Sequence, residues 1–225
     1  MKSFVEKFKH KTKLVQFAQI GISENKQLRC LLSSLNNQSL EVEWQSSHMD
    51  LIMNGHASHI IAIDYRYIWR TVLFVPLHYS KQMCYRQVIT ILEQNIPLSL
   101  NDILFDYHIC ELPEQQAQRI AIFALRKQYA QPFLNNKNKV IIDCELHCFA
   151  RGIHYLSQSH LSEFSDHFYK FKQIYFQFKQ DDLLIQTTKP HSNILSAEQF
   201  QFDQQIQEPE LYLCALGASL WNGKA

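Results

Sequence analysis

The chain has 225 residues, 46% of them hydrophobic and 12% aromatic, with a formal net charge of +1. Such a composition excludes intrinsic disorder, and the near-neutral balance argues against direct nucleic-acid binding, which draws on clustered cations. Only 5 glycines occur, about a third of ordinary usage; this speaks against several phosphate-cradling loops, because backbone N–H groups close on a phosphate only where side chains stay out of the way.

Residues 1–13 set Lys2, Lys7, Lys9, Lys11 and Lys13 against Glu6 alone. The segment suits an anionic membrane surface or an acidic partner, with Lys7, Lys9, Lys11 and Lys13 as the membrane-surface candidates; the bland alternative is a solvated terminus. No apolar run reaches the ~20 residues of a bilayer span and no secretory signal pattern opens the chain. The six cysteines (Cys30, Cys84, Cys110, Cys144, Cys148 and Cys214) lack the density of a disulfide scaffold and read as reduced thiols. The expectation is a cytoplasmic protein.

The runs 14–23 and 27–35, linked by Glu24 to Lys26, predict a strand hairpin, and 38–44 alternates as a third strand with Leu40, Val42 and Trp44 on one face. Two β-rich runs follow, Ile60–Ile63 and Ile68–Val75, the second closed by Pro76. From Ser80 to Asn95 the residues Met83, Val88, Ile91 and Leu92 recur at helical intervals, and Ile96-Pro97 stops the helix. Residues 102–111 and 119–125 read as strands, 126–134 as a short helix, Val140–Asp143 as a buried strand and 147–157 as a helix. The segment 168–180 alternates as one strand, paired with 181–188 in a hairpin with an Asp181-Asp182 turn, and its aromatics are either core or partner surface. Residues 189–209 read as loop and 209–220 as a closing helix. This order defines an α/β architecture with a mixed sheet, and no internal repeat is legible.

His56 and His59 sit three apart, with His48 nearby, but no carboxylate or cysteine stands at ligand spacing, so surface histidines are expected. Cys144, His147 and Cys148 follow a strand, yet a zinc site needs a fourth ligand and none is spaced for it; core thiols are expected. There is no Walker-type loop, dinucleotide glycine motif or nucleophile elbow. Asp64, Asp102, Asp106, Asp143 and Glu145 are scattered, and no metal site is assigned.

Taken in order, QIGIS (19–23), IAIDYRYIWRTVLFVP (61–76), VITILEQNIPLSLNDILFDYHI (88–109), IAIFALRKQYAQPFL (120–134), VIIDCELHCFARG (140–152) and LCALGASLWNG (213–223) resemble the PilM family. These are the cytoplasmic actin-like proteins of type IV pilus machines, including the short ComA-type competence variants of DNA-uptake systems. The resemblance implies an actin-like ATPase fold, α/β and ribonuclease-H-like with a mixed sheet. A first lobe over 14–152 would contain an inserted partner-binding subdomain near 77–118, and a reduced second lobe would cover 153–225, complete at the C-terminal end. It also implies an adaptor at the inner face of the bacterial inner membrane that binds the N-terminal cytoplasmic tail of a PilN-like protein and contacts the pilus assembly ATPase. An extended tail is best held by a strand edge plus apolar pockets. Val88, Ile91, Leu92, Ile96 and Pro97 are the groove candidates, although a stripe at this spacing is also how a core face reads.

The family's first phosphate loop places Asp after Gly-Ile and a glycine soon afterwards, whereas here Gly21 is kept, Ser23 stands for the Asp, and Glu24-Asn25 follow. Serine supplies neither the charge nor the reach to hold a nucleotide's metal–water shell. Residues 153–212 contain no glycine, so the second lobe's nucleotide loops are missing or rebuilt. Gly21 and Ser23 are therefore assigned to a degenerate nucleotide loop, with no cofactor, no catalytic residue and no enzyme activity expected. Two alternatives stay open: a small actin-like ATPase that still binds ATP, and an unrelated mixed-sheet interaction domain.

Overall fold

A computed structural model of the chain describes residues 19–25, 28–35, 39–46, 58–134, 139–157, 167–179, 182–204 and 206–221. Four strands come first: β1 (Gln19–Glu24), β2 (Leu28–Leu35), β3 (Ser39–Ser46) and β4 (Ser58–Ile63). Then follow β5 (Ile68–Pro76), α1 (Lys81–Asn95), β6 (Ile103–Leu112), β7 (Ala117–Arg126) and α2 (Lys127–Leu134). The chain continues with β8 (Val140–Cys144), α3 (Glu145–Leu156), β9 (Phe168–Phe171), β10 (Ile174–Lys179), β11 (Asp182–Gln186), β12 (Ile194–Ser196) and α4 (Pro209–Ser219). Two compact units result, Asp64–Asn135 and one built from the segments on either side of it. The basic segment 1–13 and residues 14–18 lie outside the described residues.

In the flanking unit, a five-stranded sheet runs β3-β2-β1-β4-β8. The β1–β2 and β2–β3 pairs are antiparallel, whereas β1–β4 and β4–β8 are parallel. A parallel pair requires a crossover, and between β4 and β8 that crossover is the whole Asp64–Asn135 segment. A second sheet runs β11-β10-β9-β12, antiparallel except for the parallel β9–β12 pair. Both sheets thus follow one plan, a three-strand meander whose first strand takes a fourth as its parallel neighbour; the second sheet stops one strand short. This is the mixed α/β architecture that the sequence predicts.

Two local expectations are corrected. Residues 168–180 form two strands, not one, because the apolar phase shifts at Lys172-Gln173: Tyr169 and Phe171 are in step with each other, then Ile174, Phe176 and Phe178. Lys172 holds the turn at φ 52°, a conformation that favours glycine. Its N–H donates to a Glu210 carboxylate oxygen at 2.8 Å and its Nζ lies 3.3 Å from Glu145. Residues 194–196 are a strand inside the segment expected to be loop.

α4 is apolar on every side and buried from Leu213 to Ser219, which is how a helix covered on all faces reads. It packs on β1, β2 and β4 and along α3, while Phe149 of α3 meets Phe171 and Phe176 of the second sheet at 5.0 and 6.2 Å between ring centroids. Tyr169, Phe171, Phe176 and Phe178 are buried and belong to the core, whereas Phe168 and Tyr175 are half-buried.

In Asp64–Asn135, an antiparallel sheet β5-β7-β6 carries α1 on one face. Ser80 caps α1 by accepting the Met83 N–H, and the helix ends before Pro97 as expected. Buried Gln118 is fully used: it accepts from the Cys84 thiol at 3.2 Å and donates to the Leu77 and Tyr79 carbonyls at 2.6 and 3.0 Å. The unit extends beyond the expected 77–118 because β7 pairs over its length with β5, which begins at Ile68.

His59, expected at the surface, lies fully buried in β4, and among the described residues neither ring nitrogen has a hydrogen-bond partner. His48 and His56 lie outside the described residues. Burial pushes the His59 pKa below its ordinary value. The unfolded chain binds this proton near pH 6.5, so the stability contributed by neutral His59 is complete above that pH and is lost as pH falls through it. Melting temperature is expected to drop between pH 7.5 and 5, with a shallower drop in His59→Leu; equal slopes in the two proteins would count against this assignment.

Candidate functional site

The two residues assigned to a degenerate nucleotide loop are strand residues. Gly21 is in the middle of β1, buried, and a Cβ there would overlap the Ala215 carbonyl oxygen and stand 3.0 Å from the Ser219 Cα. Its lack of a side chain lets the α4 backbone lie directly on the sheet. Ser23 points to the same face, since strand residues two apart share a side, and is 4% exposed. The described part of the turn beyond them is tied to the start of α4, where the Asn25 side-chain amide donates to Glu208 Oε2 at 2.6 Å. A carboxylate thus sits against the β1–β2 turn, the wrong sign of charge for a phosphate neighbour.

At the end of β8, Asp143 is consumed inside the fold. Its Oδ1 accepts the Cys144 N–H at 2.7 Å and its Oδ2 pairs with the Arg151 guanidinium. Arg151, on α3, also donates from Nε to the Gly217 carbonyl of α4 at 2.9 Å and toward the Cys148 sulfur at 3.4 Å. Both side chains are buried. One guanidinium therefore joins β8, α3 and α4, and its planar fork suits that task. The sequence carries one signal for this pair, an Asp at the end of a strand with an Arg two helical turns on. Burial pushes the thiols of Cys148 and Cys214 well up, which leaves them inert core groups.

The five groove candidates separate. Val88 and Leu92 are fully buried and form the core beneath α1 with Cys84, Ile103, Ile120 and Ile122, so they line no open groove. Ile91 and Ile96 are half-buried against that core, and Pro97 is exposed. The spacing of 88 and 92 reveals which face of the helix is apolar but not that a sheet covers it.

What stands open beside this core was not singled out from sequence. Tyr85 is 44% exposed and lies over Phe105 and Tyr107 of β6 at 6.5 and 6.2 Å between centroids. β6 is an outer strand among those described. The Tyr107 N–H is closed at 2.8 Å by the Asp106 carboxylate, an arrangement that blunts a strand edge against indiscriminate pairing. Among the described residues no cluster of three or more His, Cys, Asp or Glu is placed to hold a metal ion, and no helix is long and apolar enough to cross a membrane.

The mixed five-stranded sheet and its shortened repeat define an actin-like α/β fold. A chain of the PilM–PilN type IV pilus biogenesis complex is similar to this one in structure, with a TM-score of 0.51 at 14% identity. The match covers 76% of this chain, which spans 58% of the PilM–PilN chain's length. Also similar are the cytoplasmic domain of EpsL, an inner-membrane component of the type II secretion system of Vibrio cholerae (TM-score 0.47, 10% identity, 84% of this chain and 76% of that one), and a Bacteroides thetaiotaomicron protein with an actin-like ATPase fold and unknown function (TM-score 0.38, 12% identity, 82% and 71%). No protein-family model and no curated protein matches the chain.

Proposed function

We propose that this chain is a cytoplasmic adaptor of a type IV pilus or competence apparatus that holds the N-terminal tail of a PilN-like inner-membrane protein and carries out no nucleotide chemistry. The observation that carries the reading is the Tyr85, Phe105 and Tyr107 shelf on an outer strand, within a fold shared with a chain of the PilM–PilN complex. Main-chain bonds to a strand edge give an extended tail its affinity, and pockets for alternate side chains give it register. Here the tail's carbonyl would replace Asp106 at the Tyr107 N–H while an apolar tail residue covers the shelf. Contact with the assembly ATPase, and with the inner leaflet through Lys7, Lys9, Lys11 and Lys13, belongs to the same proposal.

Three features support the absence of nucleotide chemistry: α4 seated on Gly21, Glu208 against the β1–β2 turn, and Asp143 consumed by Arg151. Calorimetric titration with a synthetic PilN-like tail peptide is expected to give saturable binding, weakened at least about tenfold in Tyr85→Ala/Tyr107→Ala, as for an exposed aromatic anchor. Mg-ATP is expected to give none. Equal tail affinity in the double variant, or no binding at high micromolar peptide, removes the adaptor reading; micromolar Mg-ATP binding favours the small-ATPase alternative.

A further inference from the structure

The face of the β5-β7-β6 sheet opposite α1 carries Arg70 and Phe74 of β5 and Arg119 of β7, with Phe74 directly across from Arg119 in register. Arg119 is 8% exposed, yet among the described residues its guanidinium has no hydrogen bond or ion pair. Half-buried Arg70, four residues from Phe74 on the same face, has none either. Phe74 is 61% exposed, the most open large apolar side chain among those described. β5 is also an outer strand among those described.

The Arg119 guanidinium nitrogens keep contact with water and have no protein partner among the described residues, so a carboxylate that reaches them gains two parallel charge-assisted hydrogen bonds. An exposed aromatic beside it calls for an apolar neighbour to that carboxylate. We propose that this face docks an extended acidic segment of a partner protein. A glutamate pairs with Arg119, an adjacent apolar side chain covers Phe74, and a second carboxylate meets Arg70. Two arginines, with exposed Asp106 on the same face, are too few cations for a phosphate backbone, which favours a peptide over a nucleic acid. The surface lies across the sheet from Tyr85, so it is independent of the tail reading.

Fluorescence anisotropy with the full chain and a short labelled peptide alternating glutamate with leucine tests this. Binding is expected, and is expected to weaken at least about tenfold when glutamine replaces glutamate in the peptide or in Arg119→Gln, the scale of a charged hydrogen-bonded pair. Phe74→Ser is expected to weaken it as well, with an unchanged melting temperature and unchanged affinity for the tail peptide. The proposal is overturned by equal binding of the two peptides, by full affinity in Arg119→Gln, or by binding of oligothymidylate in place of the peptide. If Arg119→Gln does not fold, the peptide contrast and Phe74→Ser decide the question on their own.

Discussion

Gly217→Ala is expected to destabilise the flanking unit by at least about 3 kcal/mol, beyond the usual range for an added methyl group, because its Cβ would meet backbone rather than a movable side chain. At that position a Cβ overlaps the Cys148 carbonyl oxygen and lies 2.8 Å from the Gly152 nitrogen, so α3 and α4 would have to separate. Gly152 faces the same crossing from the other helix, where a Cβ would overlap the Leu213 carbonyl oxygen, and Gly21 plays the equivalent part between β1 and α4. A loss of about 3 kcal/mol lowers the melting temperature of a chain this size by about 6–12 °C. Thermal melting followed by circular dichroism reads it directly. A Gly217→Ala protein within about 1 kcal/mol of the parent would mean that the helices have slack. Nucleotide titrations on Gly21 variants would report this packing defect before they reported any loss of a phosphate contact.

The glycine shortage thus has a different meaning from the one composition suggests. Three of the chain's five glycines stand where backbones touch, and that role joins residue 21 to residues 215 and 219, a distance in sequence that no local pattern records. Local signals served well where they were sufficient. α1 announces itself through Ser80, an apolar stripe and Ile96-Pro97, and the meander β1–β3 through alternation and short links. β12 is only three residues long, in a polar stretch, and its strand character depends on β9 beside it. The same limit explains Val88 and Leu92: periodicity marked an apolar face, and only the sheet shows that the face is already occupied. Tyr85 stands at i, i+3 and i+7 with Val88 and Leu92, on the flank of that stripe, and spacing alone does not show that this flank stays open over Phe105 and Tyr107.

Arg151→Ala is expected to cost about 3–5 kcal/mol, the range for breaking a buried pair by removing one partner. Asp143 would be left buried with only the Cys144 N–H for company, and the Gly217 carbonyl would lose its Arg151 donor. Arg151→Lys should rescue little, since one ammonium on a flexible stem cannot reproduce a fork aimed at two acceptors. The informative protein is the double variant Arg151→Met/Asp143→Leu, in which both charges are removed together. If the ion pair matters chiefly because each charge needs the other, urea unfolding will place the double variant above Arg151→Ala in stability, with a coupling free energy of about 1–3 kcal/mol. Strict additivity of the two single changes would show that Arg151 acts only through Gly217 and that Asp143 is free to serve a ligand. In that case a carboxylate at the end of β8 would be available to a metal–water shell, and the small-ATPase alternative would gain its missing acidic group.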